Sequence, residues 1–483
     1  MAMALDDRLH QKLTLYMSAP EWLRSVVGTV YRHLPAPLRH GSAYTRFAQD
    51  AARHLDSAPW PLVEQRLEAT LQAAADVPAY RRWRDVLLAT ERPALARLQA
   101  LPLVDKPALK QNVAAHVRHG HIGTDMLPMF TGGSTAHPMA FYVQRGVTRP
   151  KEAAYIRAIE RERLDAVDGE WTLSLRGRSV RSAGNGGRLW TVEPIKRHLI
   201  FSSDHFEPAQ LDSYVSALMR LRPRQIHAFP SALHPLALWL QAHPCPAFTD
   251  GVRGILLTSE NVLPHQLALL SRVFPQARVL PHYGHSERVL MAAAAADGHD
   301  YRFMPLYGLP ELVDASGRRI DAPGVLGEIV GTGFDNAVMP FLRYRTGDMG
   351  LWDSVPRPTG QWAPVLRRIE GRVQEFVVCR DGRLISITTL GSAHFEDLQA
   401  ADTIQFEQRQ AGRVDLKLVS RVPLSAEQRA RIAEAVQHKT QGGCTVEVHQ
   451  VASLARTAGG KHRMLIQHLR LDSALGAGAA AAA

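Results

Sequence analysis

Five short segments of the 483-residue chain carry residue types suited to handling phosphate. In FTGGSTAHP (130–138), Thr131, Gly132, Gly133, Ser134 and Thr135 follow the apolar stretch LPMF. Glycine lets backbone N–H groups approach an anion closely, and the hydroxyls add donors. A polar turn has the same composition, and the segment is not a Walker loop because GxxxxGK[ST] does not fit. Glu287, in HYGHSE (282–287), is a hard oxygen ligand that can hold Mg²⁺, or a surface carboxylate after a strand. Asp348, in RYRTGDMG (343–350), follows a glycine, where a carboxylate can accept two sugar hydroxyls. TGD is equally ordinary turn chemistry. Arg372, in GRVQE (371–375), can reach a ribose or a phosphate. In RTAGGKHR (456–463), Gly459 and Gly460 let Lys461 project a compact positive charge toward a phosphoryl group, unless the segment is simply a basic tail.

Other chemistries find less support. Ser134, Ser231 and Ser286 sit in no GxSxG elbow, which argues against a serine hydrolase. His227, His234, His243 and Cys245 crowd together without a zinc spacing. The clusters GNGG (184–187) and GTG (331–333) open no helix and read as turns rather than dinucleotide sites. The net charge is 57 − 46 = +11, but the arginines are spread along the chain, so a nucleic-acid footprint is not expected. ATP, coenzyme A or anionic lipid are the alternative polyanions. Three widely separated cysteines outside any CxxC pair point to a reducing, cytoplasmic setting without disulfides. No apolar run reaches the length of about 18 residues that a membrane span needs, and the N-terminal residues lack the order of a secretory signal.

The elements that must position these residues follow from periodicity. Residues 1–60 read as helical pieces broken by prolines. Among them EWLRSVVGTVYRHL (21–34) is apolar with little lysine, so packing on the body is expected rather than contact with a membrane surface. Val63, Leu67 and Leu71 mark a helix after Pro61. Strands are expected at 171–177, 225–229, 251–259 and 278–283, with helices at 211–221, after Ser231 and at 264–274. This alternation implies an α/β core with a mainly parallel sheet, helices on both faces and ligands beyond the carboxyl ends of the strands. The loops FPS (229–231), TSEN (258–261) and YGHSE (283–287) are thus site loops. Beyond residue 370 the pattern becomes a small α+β unit: a strand at 413–419, a helix capped by Ser425 and Gln428, and a strand at 444–451. The organisation expected is an N-terminal core over 1–370, a C-terminal lid over 371–475 and an Ala-rich disordered tail over 476–483.

In their order and separations, TGGST, FPS, TSEN, YGHSE, YRTGD, GR and RTAGGK resemble the adenylate-forming superfamily of acyl-CoA synthetases. ALPLVDKPALKQN (100–112) and LRPRQIHAFPSAL (221–233) are similar to its phenylacetate–CoA ligase branch, which includes capsule-biosynthesis-type relatives. The resemblance spans about residues 65 to 466. It implies a large α/β domain with a small mobile lid, and ATP-dependent activation of a carboxylic acid, aryl or arylacetic, with coenzyme A as acceptor. Thr131 to Thr135 would cradle the phosphates, Ser259, Glu260 and Asn261 would lie near the adenine, and Tyr283 and Gly284 would flank adenine and acyl group. Glu287 would ligate Mg²⁺, Asp348 and Arg372 would hold the ribose, and Lys461 would meet the reacting carboxylate and α-phosphate. His227, Phe229, His282 and Tyr307 are candidates for the acyl pocket. Two positions depart from the family pattern: Ala136-His137-Pro138-Met139 lacks the usual lysine, and Gln374 stands at the hinge, where Asp or Lys is common. An acyl carrier protein, an amine or a hydroxyl as acceptor, and a non-catalytic homologue acting as a binding partner, are the alternatives. Monomer and homodimer are both open.

Overall fold

The computed structural model describes residues 19–118, 125–130, 139–176, 189–202, 208–262, 264–295, 300–372, 376–382, 384–387, 390, 401–420, 422–440, 442–455 and 463–469, with a few isolated positions before residue 19. Its largest feature is a twelve-stranded sheet. In chain order the strands are β1 (Thr172–Leu175), β2 (Trp190–Glu193), β3 (His198–Phe201), β4 (Gln225–Ala228), β5 (Gly254–Thr258) and β6 (Arg278–Gly284). Then come β7 (Met291–Ala294), β8 (Tyr301–Phe303), β9 (Gly308–Val313), β10 (Leu326–Gly333), β11 (Tyr344–Ser354) and β12 (Val365–Arg372). Their spatial order is β9-β10-β11-β12-β8-β7-β6-β5-β4-β1-β3-β2.

The expected parallel arrangement is met in the run β6-β5-β4-β1-β3. The other neighbours pair antiparallel. Side chains alternate across the parallel run, as the two-residue period of a strand requires. Leu173, Leu175, Ile226, Ala228, Ile255 and Leu257 pack against helices α5 (Pro208–Leu221), α6 (Pro230–Ala242) and α7 (Pro264–Val273). On the opposite face Leu256 and Leu280 join Tyr155 and Ile159 of α4 (Thr148–Leu164) and Val63, Leu67 and Leu71 of α3 (Trp60–Ala74). Helices thus cover both faces, and the apolar spacing that marked α3 is its buried stripe.

Two local expectations change. The glycines of GTG (331–333) lie inside β10 rather than in a turn. Close packing explains them: a Cβ on Gly331 would meet Val289 and Leu290 side chains at 2.7 Å. TGD is likewise within strand β11, where Gly347 adopts φ +76° next to a register shift against β10.

At the N-terminal end, α1 (Glu21–His33) lies along edge strand β2, and α2 (Ala43–Arg53) packs on α4. At the C-terminal end, strands β13 (Ala401–Gln410), β14 (Arg413–Ser420), β15 (Thr445–Gln450) and β16 (Leu465–Gln467) form a separate sheet in the order β15-β14-β13-β16. Helix α8 (Ala426–Lys439) covers it, and Phe406, Leu416, Leu418, Ile432, Val436 and Val446 form its own core. The capping box is present: Ser425 Oγ accepts from Gln428 N, and Gln428 Oε1 accepts from Ser425 N. Cys379 and Cys444 meet in this core as free thiols with sulfurs 3.8 Å apart, although 65 residues separate them in sequence. Of the expected boundary segment 371–375, residues 373–375 with the hinge position Gln374 lie outside the described residues, as does the Ala-rich tail.

Candidate active site

The parallel strands deliver their loops to one cleft of about 1950 Å³. β4 carries His227 and leads into Phe229; β5 ends at Thr258 and leads into Ser259, Glu260 and Asn261; β6 carries His282, Tyr283 and Gly284 and turns at Glu287. All of these, with Asp348 and Tyr307, line the cleft. Arg372 stands directly across from Asp348 in the β11–β12 pairing, which gives its place in the backbone. Thr131, Gly132, Gly133, Ser134, Thr135 and Lys461 lie outside the described residues.

Two tyrosines hold the acidic groups. Tyr283 Oη donates to Asp348 Oδ2 at 2.8 Å, and Tyr344 Oη donates to Glu287 Oε1 at 2.8 Å. Glu287 is buried in the wall of the cleft. A single carboxylate of this kind fits Mg²⁺, which takes one or two protein oxygens and completes its shell with water and substrate phosphate. The turn after it is anchored separately. Arg288 adopts φ +56° and places Nε 2.7 Å from Glu152 Oε2 of α4, while its Nη1 donates to the carbonyl of Ser286 at 3.1 Å. Burial works against the Glu152 carboxylate, but the Arg288 guanidinium overrides it and holds the carboxyl below its usual range.

Glu260 has a further task. Its carboxylate accepts from Ser231 N at 3.0 Å and Ser231 Oγ at 2.9 Å, at the N-terminus of α6. A carboxylate is favourable there because the helix end is electropositive. The contact ties the FPS loop to the TSEN loop, and Ser259, next to Glu260 in the latter, is in the left-handed region at φ +68°.

The acyl-pocket candidates form a polar wall. Strand register puts Ser174, His227, Leu256, Thr258, Leu280 and His282 on one face of the sheet. His227 Nε2 lies 3.0 Å from Glu160 Oε1 of α4, and Arg157 Nη1 lies 3.0 Å from Glu160 Oε2. His227 and Arg157 outweigh burial and keep the Glu160 carboxyl below its usual range. Burial pushes His282 down to about 4, so its imidazole is neutral near pH 7. Tyr307 is almost wholly buried; its carbonyl accepts from Lys151 Nζ at 3.0 Å, and the same ammonium sits 4.3 Å from its ring. Burial lowers Lys151 to about 8.

No family model matches the chain. Protein CapK of Staphylococcus aureus is 21% identical over 390 residues, covering 79% of this chain and 83% of that protein. A 2-hydroxyisobutyryl-CoA ligase, solved with its 2-HIB-AMP adenylate in the postadenylation state, aligns with a TM-score of 0.62 at 20% identity. The alignment covers 88% of this chain and 94% of the ligase. The fold is that of the adenylate-forming enzymes. The anthranilate CoA ligase AuaEII, in complex with anthranoyl-AMP, shares it at a TM-score of 0.51 and 13% identity, over 84% of this chain and 79% of that one.

Within this fold, the candidate residues His227, Phe229, Ser259, Glu260, Asn261, His282, Tyr283, Gly284, Glu287, Tyr307 and Asp348 line one cleft, but the sequence did not show what holds them. Tyr344 lies inside the quoted RYRTGD motif, yet nothing marks its hydroxyl as the partner of Glu287. Glu152 and Glu160 carry a weak signal, eight residues apart on one helix face. Their partners, Arg288 and His227, are distant in sequence and belong to separate strands and loops.

Proposed function

We propose that the protein activates a carboxylic acid with ATP and passes the acyl group to the thiol of coenzyme A. The observation that carries this reading is the convergence of the FPS, TSEN, YGHSE and TGD segments on one cleft, with Glu287 and Asp348 each held by a tyrosine. In the first step a carboxylate oxygen of the acid attacks the α-phosphorus of ATP. The bond between the α-phosphorus and the bridging oxygen breaks, and pyrophosphate leaves. In the second step the thiol sulfur attacks the acyl carbon, loses its proton and expels AMP.

Both partners in the first step are anionic, so catalysis rests on positioning and on positive charge at the phosphoryl oxygens. Asp348, held by Tyr283, and the neighbouring Arg372 suit the ribose hydroxyls. Ser259, Asn261 and Gly284 suit the adenine side of the cleft. Thr131 to Thr135 would supply donors to the phosphates, and Lys461 would supply a mobile cation. Glu287 is the residue that would hold Mg²⁺, whose charge offsets that of the phosphates when bound. Gln374 would be the pivot of a lid motion between the two steps.

The polar wall bears on the acid. Ser174 and the Nε2 of neutral His282, which has no hydrogen-bond partner among the described residues, would stay unsatisfied against a purely apolar acyl chain, at a cost of about 1–3 kcal/mol for each such group. An acid carrying a hydroxyl or amino substituent, on an aryl or a short aliphatic frame, suits this wall better than unsubstituted phenylacetate. The two adenylates in the structural relatives, 2-HIB-AMP and anthranoyl-AMP, come from acids of that kind. The test is pyrophosphate release with ATP and Mg²⁺ over paired acids with and without such a substituent, followed by detection of the acyl-CoA. Release with the substituted members supports the reading. A folded protein that releases no pyrophosphate with any acid refutes it.

A further inference from the structure

Helix α1 is amphipathic in the reverse of the usual sense. Its charged residues turn inward: Arg24 is buried, with Nε 3.1 Å from the carbonyl of Ala19 and Nη1 on that of Val192 in β2. Arg32 Nη1 donates to the carbonyl of Pro194 at 2.7 Å. Gly28 lies so close to the body that a Cβ would meet the Pro194 Cβ at 2.7 Å. The apolar residues face out. Trp22, Val26 and Val30, spaced by four and so stacked along one side, are 68%, 54% and 59% exposed.

The rest of the outward face adds no fixed charge: its other exposed residues are Leu23, Ser25, Thr29 and His33. Ser25 Oγ donates to the Glu21 carbonyl and Thr29 Oγ1 to the Ser25 carbonyl, each at 2.9 Å. Their hydroxyl protons are therefore satisfied within the helix and need no water. Leu38, just beyond α1, is a further exposed apolar side chain at 58%. Monomeric soluble proteins scatter such residues singly, whereas a contiguous stripe marks a contact surface.

The surroundings of the stripe are basic. Arg220 flanks its start, 4.0 Å from Glu21. Near its end stand Arg39 over the Tyr31 ring, exposed Lys196, and Arg197, close enough to act on the charge of Arg32; these three line the cleft as well. The nearby Glu193 is buried, and its carboxylate accepts from Tyr16 Oη and from the amides of Ile195 and Lys196. The whole chain carries +11.

We infer that α1 is a peripheral docking surface for an anionic lipid bilayer, lying in the interface plane with Trp22, Val26 and Val30 in the headgroup–acyl boundary. A convex apolar ridge with a basic fringe matches what interfacial helices use: apolar area sunk about 5–10 Å, and cations toward anionic headgroups. The body supplies the rigid inward anchor, so the helix does not have to fold on contact. Attachment is to one leaflet; among the described residues no helix is long and apolar enough to cross a membrane. The helix packs on the body as expected of 21–34, through Arg24, Gly28 and Arg32, but membrane contact, which the sequence spoke against, is what its apolar side is here inferred to make.

The test is co-sedimentation of the full chain with vesicles of phosphatidylglycerol and phosphatidylcholine, beside vesicles of phosphatidylcholine alone. The wild type is expected to bind the anionic vesicles and to release as salt is raised. The triple variant Trp22→Ser, Val26→Ser, Val30→Ser should lose at least about tenfold in partitioning, with an unchanged circular-dichroism spectrum. The proposal is overturned if the wild type fails to sediment with anionic vesicles, or if the variant binds as the wild type does. It is also overturned if the same substitutions instead abolish a concentration-dependent dimer in gel filtration while vesicles go unbound, which would make a second copy the occupant.

Discussion

Replacing Glu152 with glutamine isolates the anchor behind the proposed Mg²⁺ ligand. The substitution keeps side-chain shape and removes one negative charge from beside Arg288, whose Nε is 2.7 Å away. Removing one partner of a fully buried pair costs about 3–5 kcal/mol. Glu152 is 36% exposed to the cleft, so solvent screening reduces the figure to about 1–2 kcal/mol. The same pair offsets the strain of Arg288 at φ +56°, a conformation that costs about 1–3 kcal/mol in a residue with a side chain. If the loss falls on the placement of adjacent Glu287, adenylation should slow about 5- to 30-fold. The assay is acid-dependent pyrophosphate release at saturating ATP, alongside urea unfolding. The pH dependence has a definite sign. Glu152 is held below its ordinary value of 4.5 when folded, so the stabilisation is present above that pH and is lost as pH falls through the lower folded value. The stability gap between wild type and Glu152→Gln should therefore be constant near neutral pH and close in acid. A folded variant with wild-type turnover, or a gap that persists unchanged in acid, refutes the reasoning.

Tyr283→Phe removes the hydroxyl that donates to Asp348; a hydrogen bond to a charged group is worth about 1.5–3 kcal/mol, so the KM for ATP should rise at least about tenfold, measured with saturating acid. Lys461→Ala should slow pyrophosphate release by about 10²- to 10³-fold with little change in the urea midpoint; unchanged adenylation would remove the role proposed for this lysine. Gly331→Ala drives a methyl to 2.7 Å from Val289 and Leu290, and should destabilise the core by about 1–3 kcal/mol in urea unfolding.

The parts of the molecule governed by local rules were legible in the residues themselves. The spacing of Val63, Leu67 and Leu71 specified a buried helix face, the alternation in CTVEVHQV specified a strand, and Ser425 with Gln428 specified a helix start. Each depends only on backbone geometry within a few residues. The glycines of 331–333 were misleading because a turn and a tightly packed strand both favour glycine, and only the neighbours at 289 and 290 distinguish them. The extent of antiparallel pairing beyond β6 was hidden for a related reason. Once a strand is buried on both faces, its sequence no longer reveals which neighbour it pairs with, or in which direction.

By itself the sequence determined which residues could do chemistry, because glycine, carboxylate and ammonium groups have intrinsic capacities that do not depend on where they end up. Tertiary structure alone decided how those groups are held: Tyr344 on Glu287, Tyr283 on Asp348, Glu152 behind Arg288, and Glu160 against His227. It also decided which side of α1 faces water. Helical periodicity defines two sides but carries no instruction about which is inward, and here buried Arg24 on the Val192 carbonyl of β2, with Arg32 on that of the adjoining Pro194, settled the matter. Hydrogen bonds and ion pairs between distant segments depend on distances of a few ångströms, and those exist only after the chain has closed on itself.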